Sequence, residues 1–303
     1  MVDNASSDGS DRIAETMAES HDTIRVLRSP TNRGYAGAVN AALPEARGEF
    51  VAVLNMDVVV SPGWLDPLIS FLRGAPDAGA ACPLIVLESD PGRINAAGQD
   101  VHVTGLGFNR WLEQPRERAG VAPLRVSGLH GAAFLIRRDL FQSVGGWDEK
   151  GFLYHEDVEL SWLLQLAGTE IYCVPASTVS HDYHLTMFPH KLFLLERNRW
   201  SMLLADIGLP TRVALSPLLL LSELMIWGYC LLRGPSFLRA KLDSYRWISG
   251  NRERIRERGR FVDSLRRRSD WGLLRHLNWG YPVGQFVTLG CERGESERNR
   301  LGS

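Results

Sequence analysis

The feature that most constrains the fold is an alternation of short β-forming runs with helical stretches between residue 1 and about residue 185. This alternation is typical of a mainly parallel sheet covered by helices. Predicted strands occupy residues 24–28, 50–54, 81–87, 132–136 and 170–174. Predicted helices occupy residues 10–19, 35–46, 64–73 and 156–167. The sequence therefore predicts the α/β class, and residues 88–127, rich in Gly, Pro and Arg, are expected to form an irregular insertion.

Beyond this region the pattern predicts long helices. Ser216 and Pro217 favour a helix start and Gly234 favours a helix end, so residues 218–232 are predicted to form one apolar helix. At about 1.5 Å per residue it is roughly 23 Å long, whereas the hydrocarbon core of a bilayer is about 30 Å thick. Glu223 also lies in its middle. The pattern does not support a clean membrane span.

An arginine-rich stretch follows the apolar helix. Between Arg246 and Arg275 ten arginines face four acidic residues, a local balance of +6. One interpretation is a solvated helical face, and the other is a basic surface that attaches to the anionic inner leaflet of a membrane. We expect a cytoplasmic protein, peripheral at the inner face of the cell membrane. The expected divisions are a catalytic domain over 1–205, a helical membrane-associating region over 206–275 and a tail over 276–303.

Composition narrows the class of protein. With 45% hydrophobic and 23% charged residues, a chain of 303 residues can bury one large core or two smaller ones. Its 34 basic and 35 acidic residues give a formal net charge of -1, which provides no field to attract nucleic acid. The four cysteines form no CxxC motif, so neither a zinc site nor a disulfide framework is expected. The polar start MVDNASSDGS lacks the apolar segment of a signal peptide.

Two polar segments near the start of the chain are candidates for binding a nucleotide. Asp3 and Asp8 lie in an acidic turn after a strand end, where open α/β sheets bind ligands. Asn32, Gly34 and Asn40 lie in a small-residue segment that leads into a helix, whose N-terminus favours a phosphate. Each segment also has a structural interpretation: the first as a turn with a helix cap, the second as close helix-to-sheet packing.

Three further groups are candidates for catalysis or metal binding. Asp57 directly follows a predicted buried strand, where an unpaired carboxylate costs several kcal/mol, so it either caps the next turn or binds a cation. Glu156 and Asp157 stand at a predicted helix start, where the helix dipole alone accounts for them or where they supply a general base. His181 and His184 follow a strand and are either structural or metal ligands.

In their order and spacing these segments resemble a known family. DNASSDGS, NRGYAGAVNAAL, VLNMDVVV and GAAFLIRRDLFQSVGGWDEKGFLYHEDVELSWLLQLAG together resemble the family 2 inverting glycosyltransferases of GT-A fold, above all the bacterial rhamnosyltransferase-like branch. The resemblance covers about residues 1–205 and includes SHDYH and ERNRW. It implies a doubly wound, mainly parallel GT-A sheet with a C-terminal helical extension. It also implies inverting transfer of a sugar, rhamnose being one candidate, from a nucleoside-diphosphate donor to a glycan or lipid-linked acceptor in cell-surface polysaccharide synthesis.

The resemblance implies roles for the nucleotide-binding residues. Asp3 would hold the nucleotide base, with Asp8 beside it. The residues expected to line the rest of the nucleotide-sugar pocket are Asn32, Gly34, Asn40 and Asn55.

The resemblance also implies a metal site and a catalytic general base. Asn55 stands where the family carries the first acid of a DxD-type signature, so binding of Mn2+ or Mg2+ would rest on Asp57, with His181 as a further ligand. Asp157 would be the catalytic base, with Glu156 paired to it. Trp147, just before the base, would contact the acceptor.

One departure from the family lies at the start of the chain. Family members carry a strand and a helix before the DNASSDGS position, which here follows Met1 and Val2. Loss of a central strand would expose two unpaired edges and uncover the nucleotide pocket, so we expect an N-terminally truncated form. The alternatives are an inactive remnant and a non-catalytic nucleotide-binding scaffold of a glycan assembly complex. An NAD-dependent Rossmann enzyme is disfavoured because no GxGxxG motif follows the first strand.

Overall fold

The structure is a computed structural model that describes residues 1–184, 186–282 and 285. The strands are β1 Val2–Asp3, β2 Leu27–Arg28, β3 Phe50–Leu54, β4 Val58–Val60, β5 Ala78–Leu87, β6 Ile94–Ala96, β7 Gln99–Val101, β8 Gly107–Asn109, β9 Leu124–Arg125, β10 Ala133–Arg137 and β11 Glu170–His181. The helices are α1 Ser10–Ser20, α2 Gly34–Ala42, α3 Leu65–Gly74, α4 Arg138–Ser143, α5 Glu156–Leu166, α6 Pro189–Asp206, α7 Leu209–Ala214, α8 Ser216–Arg233, α9 Pro235–Gly250, α10 Arg252–Leu265 and α11 Asp270–Leu274. Short 3-10 turns occupy Leu43–Glu45, Arg116–Ala119 and Glu149–Gly151.

A seven-stranded sheet forms the centre of the fold. Its main path is β3-β10-β5-β11-β4, with β6 paired to β5 and β9 paired to β11. Only β5 and β11 run parallel in this sheet, and the other pairs are antiparallel. The α/β class is confirmed, but the expectation of a mainly parallel sheet is corrected to a mixed one. β1 and β2 form a separate parallel pair.

The core of this sheet follows from the composition of β5. Ala80, Ala81 and Cys82 are small and fully buried, which lets layers on both faces approach closely. Leu68 and Leu72 of α3 cover one face and are fully buried there. The predicted strand at 24–28 is real only at its last two residues, whereas the strand predicted at 170–174 continues to His181 because it pairs with the full length of β5.

The segment 88–127 is not an irregular insertion. It supplies β6, β7, β8 and β9, and its residues Ile94, Val101 and Val103 are fully buried. Glycine and proline content predicted a loop here, but tertiary pairing with the main sheet determines the structure. This segment also carries a functional side chain, described below.

The helical region packs directly on the sheet domain. Trp162 of α5, Met202 of α6, Leu219 of α8 and Val262 of α10 belong to one hydrophobic cluster. Of the ten arginines between Arg246 and Arg275, seven form ion pairs. The pairs that reach the sheet domain are Arg254–Asp148, Arg258–Glu159 and Arg268–Glu170. Much of the basic stretch therefore fastens the helices to the sheet domain.

Helix α8 is longer than predicted and runs from Ser216 to Arg233. Within the described residues it is the one helix that is long and apolar enough to cross a membrane, and 22% of it is buried against the protein. The Glu223 side chain binds this helix to its neighbours, so part of the helix is buried. Its carboxylate accepts hydrogen bonds from Arg199 at 2.5 Å, from Lys241 at 3.1 Å and from the Trp200 indole at 2.8 Å. The polar side of α8 is thus fixed to α6 and α9.

The predicted tail, residues 276–303, lies mostly beyond the described residues. His276 and Tyr281 are described, whereas Cys291 is not. The predicted boundary between residues 205 and 206 coincides with the end of α6 at Asp206.

Candidate functional site

The site is built around the first turn of α5. Asp157 Oδ2 accepts hydrogen bonds from the Gln99 amide at 2.7 Å and from the Gly131 N–H at 3.1 Å. Asp157 Oδ1 accepts from the Val158 N–H at 2.8 Å. Three donors from three different segments therefore fix the carboxylate, and Gln99 reaches it from β7 in the segment that the sequence predicted as irregular.

The two acids of this turn differ in their surroundings. Burial raises the pKa of Glu156 to about 8, and the Asp157 charge adds to the increase. Among the described residues Glu156 Oε2 has no hydrogen-bond partner. Burial also raises the pKa of Asp157, but its bonds from Gly131, Val158 and Gln99 oppose that effect. Burial and their mutual repulsion therefore disfavour ionisation of both acids at once, and the donors to Asp157 favour its charged form.

The loop before α5 has an unusual backbone. Phe152, Tyr154 and His155 have φ of 66°, 65° and 74°, in the left-handed region that costs of order 1–3 kcal/mol for a non-glycine residue. Asn198 of α6 compensates: its amide donates to the carbonyls of Gly151 at 3.0 Å, Leu153 at 3.2 Å and Tyr154 at 2.8 Å. The loop that delivers Glu156 and Asp157 is thus held by one side chain of the ERNRW segment.

Two neighbouring groups support the same loop. Arg197 donates to the carbonyls of Lys150 at 3.2 Å and Gly151 at 2.6 Å. The His155 ring lies 2.7 Å from the Gly105 carbonyl, and burial lowers its pKa to about 4. His155 is therefore a neutral donor that ties the helix start to the β7–β8 turn.

Asp57 and His181 form the candidate metal pair. His181 Nε2 lies 3.3 Å from Asp57 Oδ2, and the Asp57 side chain is 51% exposed. His181 Nδ1 lies 2.8 Å from the Asn95 amide oxygen and donates to it, which directs Nε2 toward the Asp57 carboxylate. A carboxylate oxygen and an imidazole nitrogen facing each other in this way fit a divalent cation whose other ligands are phosphates and water.

This pair is a partial site by itself. Within the described residues, no group of three or more His, Cys, Asp or Glu side chains is placed to hold a metal. The Asn55 side-chain oxygen is buried and has no hydrogen-bond partner in the described part of the chain. His184 is not part of the pair, because its ring faces Asp182 at 3.3 Å and is largely exposed.

Tyr35 and His130 lie beside both groups. Burial and the charges of Glu156, Asp157 and Asp57, in that order, raise the pKa of Tyr35, which places these three carboxylates around one phenol. The phenol donates to the Gly131 carbonyl at 3.1 Å. The His130 ring lies 5.8 Å from the His181 ring, and burial lowers the pKa of His130 to about 3. The predicted base and the predicted metal pair thus occupy one region.

The predicted nucleotide residues lie in a more exposed region. Asp3 accepts from the Ser6 N–H at 3.1 Å and Asp8 accepts from the Ser10 N–H at 3.0 Å. Bonds with Ser6 hold the pKa of Asp3 below its usual value, and bonds with Ser10 do the same for Asp8. Both acids are therefore ionised and hydrogen-bonded within their own turn.

Asn32 and Gly34 connect this turn to the loop that precedes α5. Asn4 donates to Asn32 Oδ1 and to the Gly34 carbonyl, both at 3.0 Å. Gly34 has φ of +71°, and a Cβ there would lie 2.2 Å from the Phe152 carbonyl oxygen. The glycine is required by this close approach to the loop before Asp157.

Asn40 and Trp147 are placed differently from their predicted roles. The Asn40 amide donates to the Trp147 carbonyl at 2.8 Å, and its oxygen accepts from the Trp147 N–H at 3.0 Å. The Trp147 ring is buried among Tyr35, Phe134 and Phe141. The structure therefore shows Asn40 bonded to the Trp147 backbone and the Trp147 ring in the core, and their predicted roles at the donor and the acceptor stay predictions.

A cavity of about 360 Å³ opens beside the acids. Asp157, Glu156, Gln99 and His130 line it on the sheet side, and residues of α6 and α8 line it on the helical side. Its volume is that of a small-molecule site. The sequence analysis did not identify Gln99, Asn95 or Asn198, because each contacts residues that are far away in the sequence. Of the three, only Asn198 lies in a segment that the family resemblance included, ERNRW, and the resemblance gave that segment no role.

The chain is similar to known glycosyltransferases. The model of the family described as Glycosyl transferase family 2 matches residues 1–145. The chain is 32% identical over 209 residues to N-acetylglucosaminyl-diphospho-decaprenol L-rhamnosyltransferase of Mycobacterium tuberculosis, which covers 61% of this chain and 67% of that relative. It is 26% identical over 203 residues to beta-monoglucosyldiacylglycerol synthase of Trichormus variabilis, covering 66% of this chain and 41% of the relative.

A solved structure shares the fold. GalNAc-T7, crystallised with UDP, GalNAc and Mn2+, superimposes with a TM-score of 0.54 and 19% sequence identity. The superposition covers 67% of this chain and 41% of the other. This similarity and the family match confirm the GT-A fold with its helical extension.

Proposed function

Because the chain belongs to glycosyl transferase family 2, we propose that it transfers a sugar from a nucleoside-diphosphate donor to a glycan or lipid-linked acceptor with inversion. Rhamnose is the proposed sugar and cell-surface polysaccharide synthesis the proposed process, by analogy with the rhamnosyltransferase relative. The observation that carries the proposal is the partly buried Asp157 carboxylate, fixed by three donors beside a cavity that it lines together with His130, whose ring lies 5.8 Å from the His181 ring.

Asp157 is the proposed general base. Three donors favour the charged form of its carboxylate, which accepts the proton of the acceptor hydroxyl as that oxygen attacks the anomeric carbon. The bond between the anomeric carbon and the donor phosphate oxygen breaks in the same displacement. Attack opposite the leaving group inverts the anomeric centre and needs no covalent intermediate.

Asp57 and His181 are the proposed ligands of Mn2+ or Mg2+. A bound divalent cation would supply charge compensation to the diphosphate that leaves the donor. Asn95 orients the His181 ring by accepting from Nδ1, which keeps Nε2 available. Asp3, Asp8 and the segment around Asn32 and Gly34 form the proposed surface for the base and ribose of the donor.

We place the protein at the cytoplasmic face of the cell membrane. The support is the outer face of α8, where Leu220, Leu224, Leu231 and Leu232 are exposed. An exposed apolar helix face of this kind fits the interface of a bilayer. The opposite side of α8 carries Glu223, which is bound to Arg199 and Lys241, so we propose that the helix lies in the membrane plane.

Nucleotide binding tests the proposal directly. Calorimetric titrations with dTDP, UDP and GDP, with and without Mn2+, should show Mn2+-dependent binding of one nucleotide. Asp57→Asn should lose that dependence, whereas Asp182→Asn, an exposed acid on the neighbouring loop, should keep it. A folded protein that binds none of the three nucleotides would refute the proposed function.

A further inference from the structure

The cavity beside Asp157 has two unlike walls. The sheet wall carries the polar groups Gln99, His130, Glu156 and Asp157. The helical wall is largely apolar, and its aliphatic and thioether side chains are Leu106, Met187, Leu192, Leu195, Met225 and Ile226. A sugar carries several hydroxyls that need hydrogen-bond partners, and the aliphatic and thioether side chains of the helical wall offer none. This wall suits a hydrocarbon.

Two charged groups of the helical wall, Glu196 and Arg199, belong to a neutral cluster, whereas Lys191, which also lines the cavity, lies 4.9 Å from the centre of the Tyr154 ring. Arg199 binds Glu196 through two hydrogen bonds of 2.8 and 2.7 Å and binds Glu223 at 2.5 Å. Lys241 pairs with the same two carboxylates. Two cations and two anions cancel, and their donors and acceptors are used within the cluster. The cluster therefore gives the wall little attraction for a charged ligand.

The apolar wall is continuous with the exposed face of α8. At about 100° per residue, Met225 and Tyr229 stand next to the Leu221 and Leu232 positions on the helix circumference, and Ile226 follows further inward. Met225 and Ile226 line the cavity, while Leu221 and Leu232 are exposed. An apolar surface thus runs from the outside of α8 to the cavity that holds Asp157.

Resting on the proposed function, we propose that this cavity binds the hydrocarbon chain of a lipid-linked acceptor, which enters over Met225 from the outer face of α8. The acceptor hydroxyl then lies at Asp157, and the chain lies between α6 and α8. The acceptor class is therefore amphipathic, with a polar head on the sheet wall and an apolar chain on the helical wall.

Alkyl β-D-glucopyranosides test the chain site without a natural acceptor. Binding of the methyl, octyl and dodecyl glucosides is measured by calorimetry below their micellar concentrations, with the full chain and no vesicles. Each methylene that leaves water for the cavity should tighten binding by at most about fourfold. We expect dodecyl glucoside to bind at least 100-fold more tightly than methyl glucoside, and equal affinities would overturn the proposal.

Matched variants locate the chain. Met225→Gln and Leu195→Gln place an amide in the wall and should each reduce the dodecyl-to-methyl affinity ratio by 10-fold or more. Leu242→Gln makes the same change on α9 at a partly exposed leucine and should leave the ratio unchanged. A ratio that falls equally in all three variants, or in none, would show that the chain binds elsewhere and overturn the proposal.

Nucleotide binding separates this proposal from the one on which it rests. Mn2+-dependent nucleotide binding together with no chain-length preference would overturn the chain site and leave the glycosyltransferase function standing. The opposite result is a chain-length preference that Met225→Gln removes, together with no nucleotide binding. It would support the site for the hydrocarbon chain and refute the proposed nucleoside-diphosphate donor.

Discussion

The two sides of the site differ in how they hold their functional groups. Asp157 is partly buried and fixed by donors from β7, from Gly131 and from its own helix. The Asp3 carboxylate is bonded to Ser6, within one turn, and that hydrogen bond is exposed to solvent. Substitutions on the two sides should therefore differ in the size of their effects. A group fixed by several donors acts directly in the reaction, whereas a solvent-exposed group adds one contact that is weakened by water and salt.

The largest effect is expected for Asp157→Asn. Asparagine has nearly the same shape and keeps one oxygen, which can accept either from Gly131 and Gln99 or from Val158, so the fold should be kept, but it cannot take a proton. We expect kcat to fall by about 10²–10⁴, the usual contribution of a general base. Nucleotide affinity, measured by calorimetry, should stay within about twofold. A variant that keeps full transfer activity would show that another group is the base.

Asn198→Ala should have the next largest effect. It removes three hydrogen bonds from a loop that contains three left-handed non-glycine residues. A displaced Asp157 should lower kcat by about 10- to 100-fold, because small misplacements of catalytic groups are costly. Asn251→Ala, which removes a single bond to the Trp247 carbonyl on the far helices, is the matched control.

The kinetic signature separates positioning from stability. Asn198→Ala should change kcat while nucleotide affinity and the thermal midpoint change little. An equal loss of kcat and of thermal stability in both asparagine variants would indicate a general effect on folding instead.

The sequence predicted the local elements of both sides well. Residues 50–54 form β3 as predicted, and α5 begins at Glu156 as predicted. Apolar periodicity and carboxylates at strand ends are local features of the sequence, so they can be recognised without knowledge of the fold.

Nonlocal features could not be predicted in the same way. The sequence of β3 or of β10 alone does not indicate that the two strands pair or that they run antiparallel. Gln99 lies 58 residues before Asp157, and it was hidden in a segment whose glycines and prolines predicted a loop. Trp147 stands just before the base in sequence, but its ring is directed into the core. Contact across the fold, rather than adjacency in sequence, assigns these roles.

The pH dependence of kcat should reflect the buried side. The pKa of Asp157 is raised by burial, so the ionised base is lost as the pH falls through that raised value, and kcat should fall with it. Gln99→Leu removes a donor that stabilises the carboxylate and should move this acid limb to higher pH. Gln142→Leu, on the surface, should leave the profile in place. A shift to lower pH in Gln99→Leu would contradict the assignment.

The smallest effect is expected on the exposed side, from Asp3→Ala. The proposed contact with the nucleotide is one hydrogen bond of a solvated carboxylate, worth about 0.5–1.5 kcal/mol net. Nucleotide affinity should therefore fall by about 2- to 13-fold, and the acid limb of kcat should not move because Asp3 does not take part in proton transfer. Asp22→Ala, another exposed acid of the same region, should change neither quantity. A loss as large as that of Asp157→Asn would mean that the exposed turn becomes buried when the donor binds, and the contrast between the two sides would then hold only for the free protein.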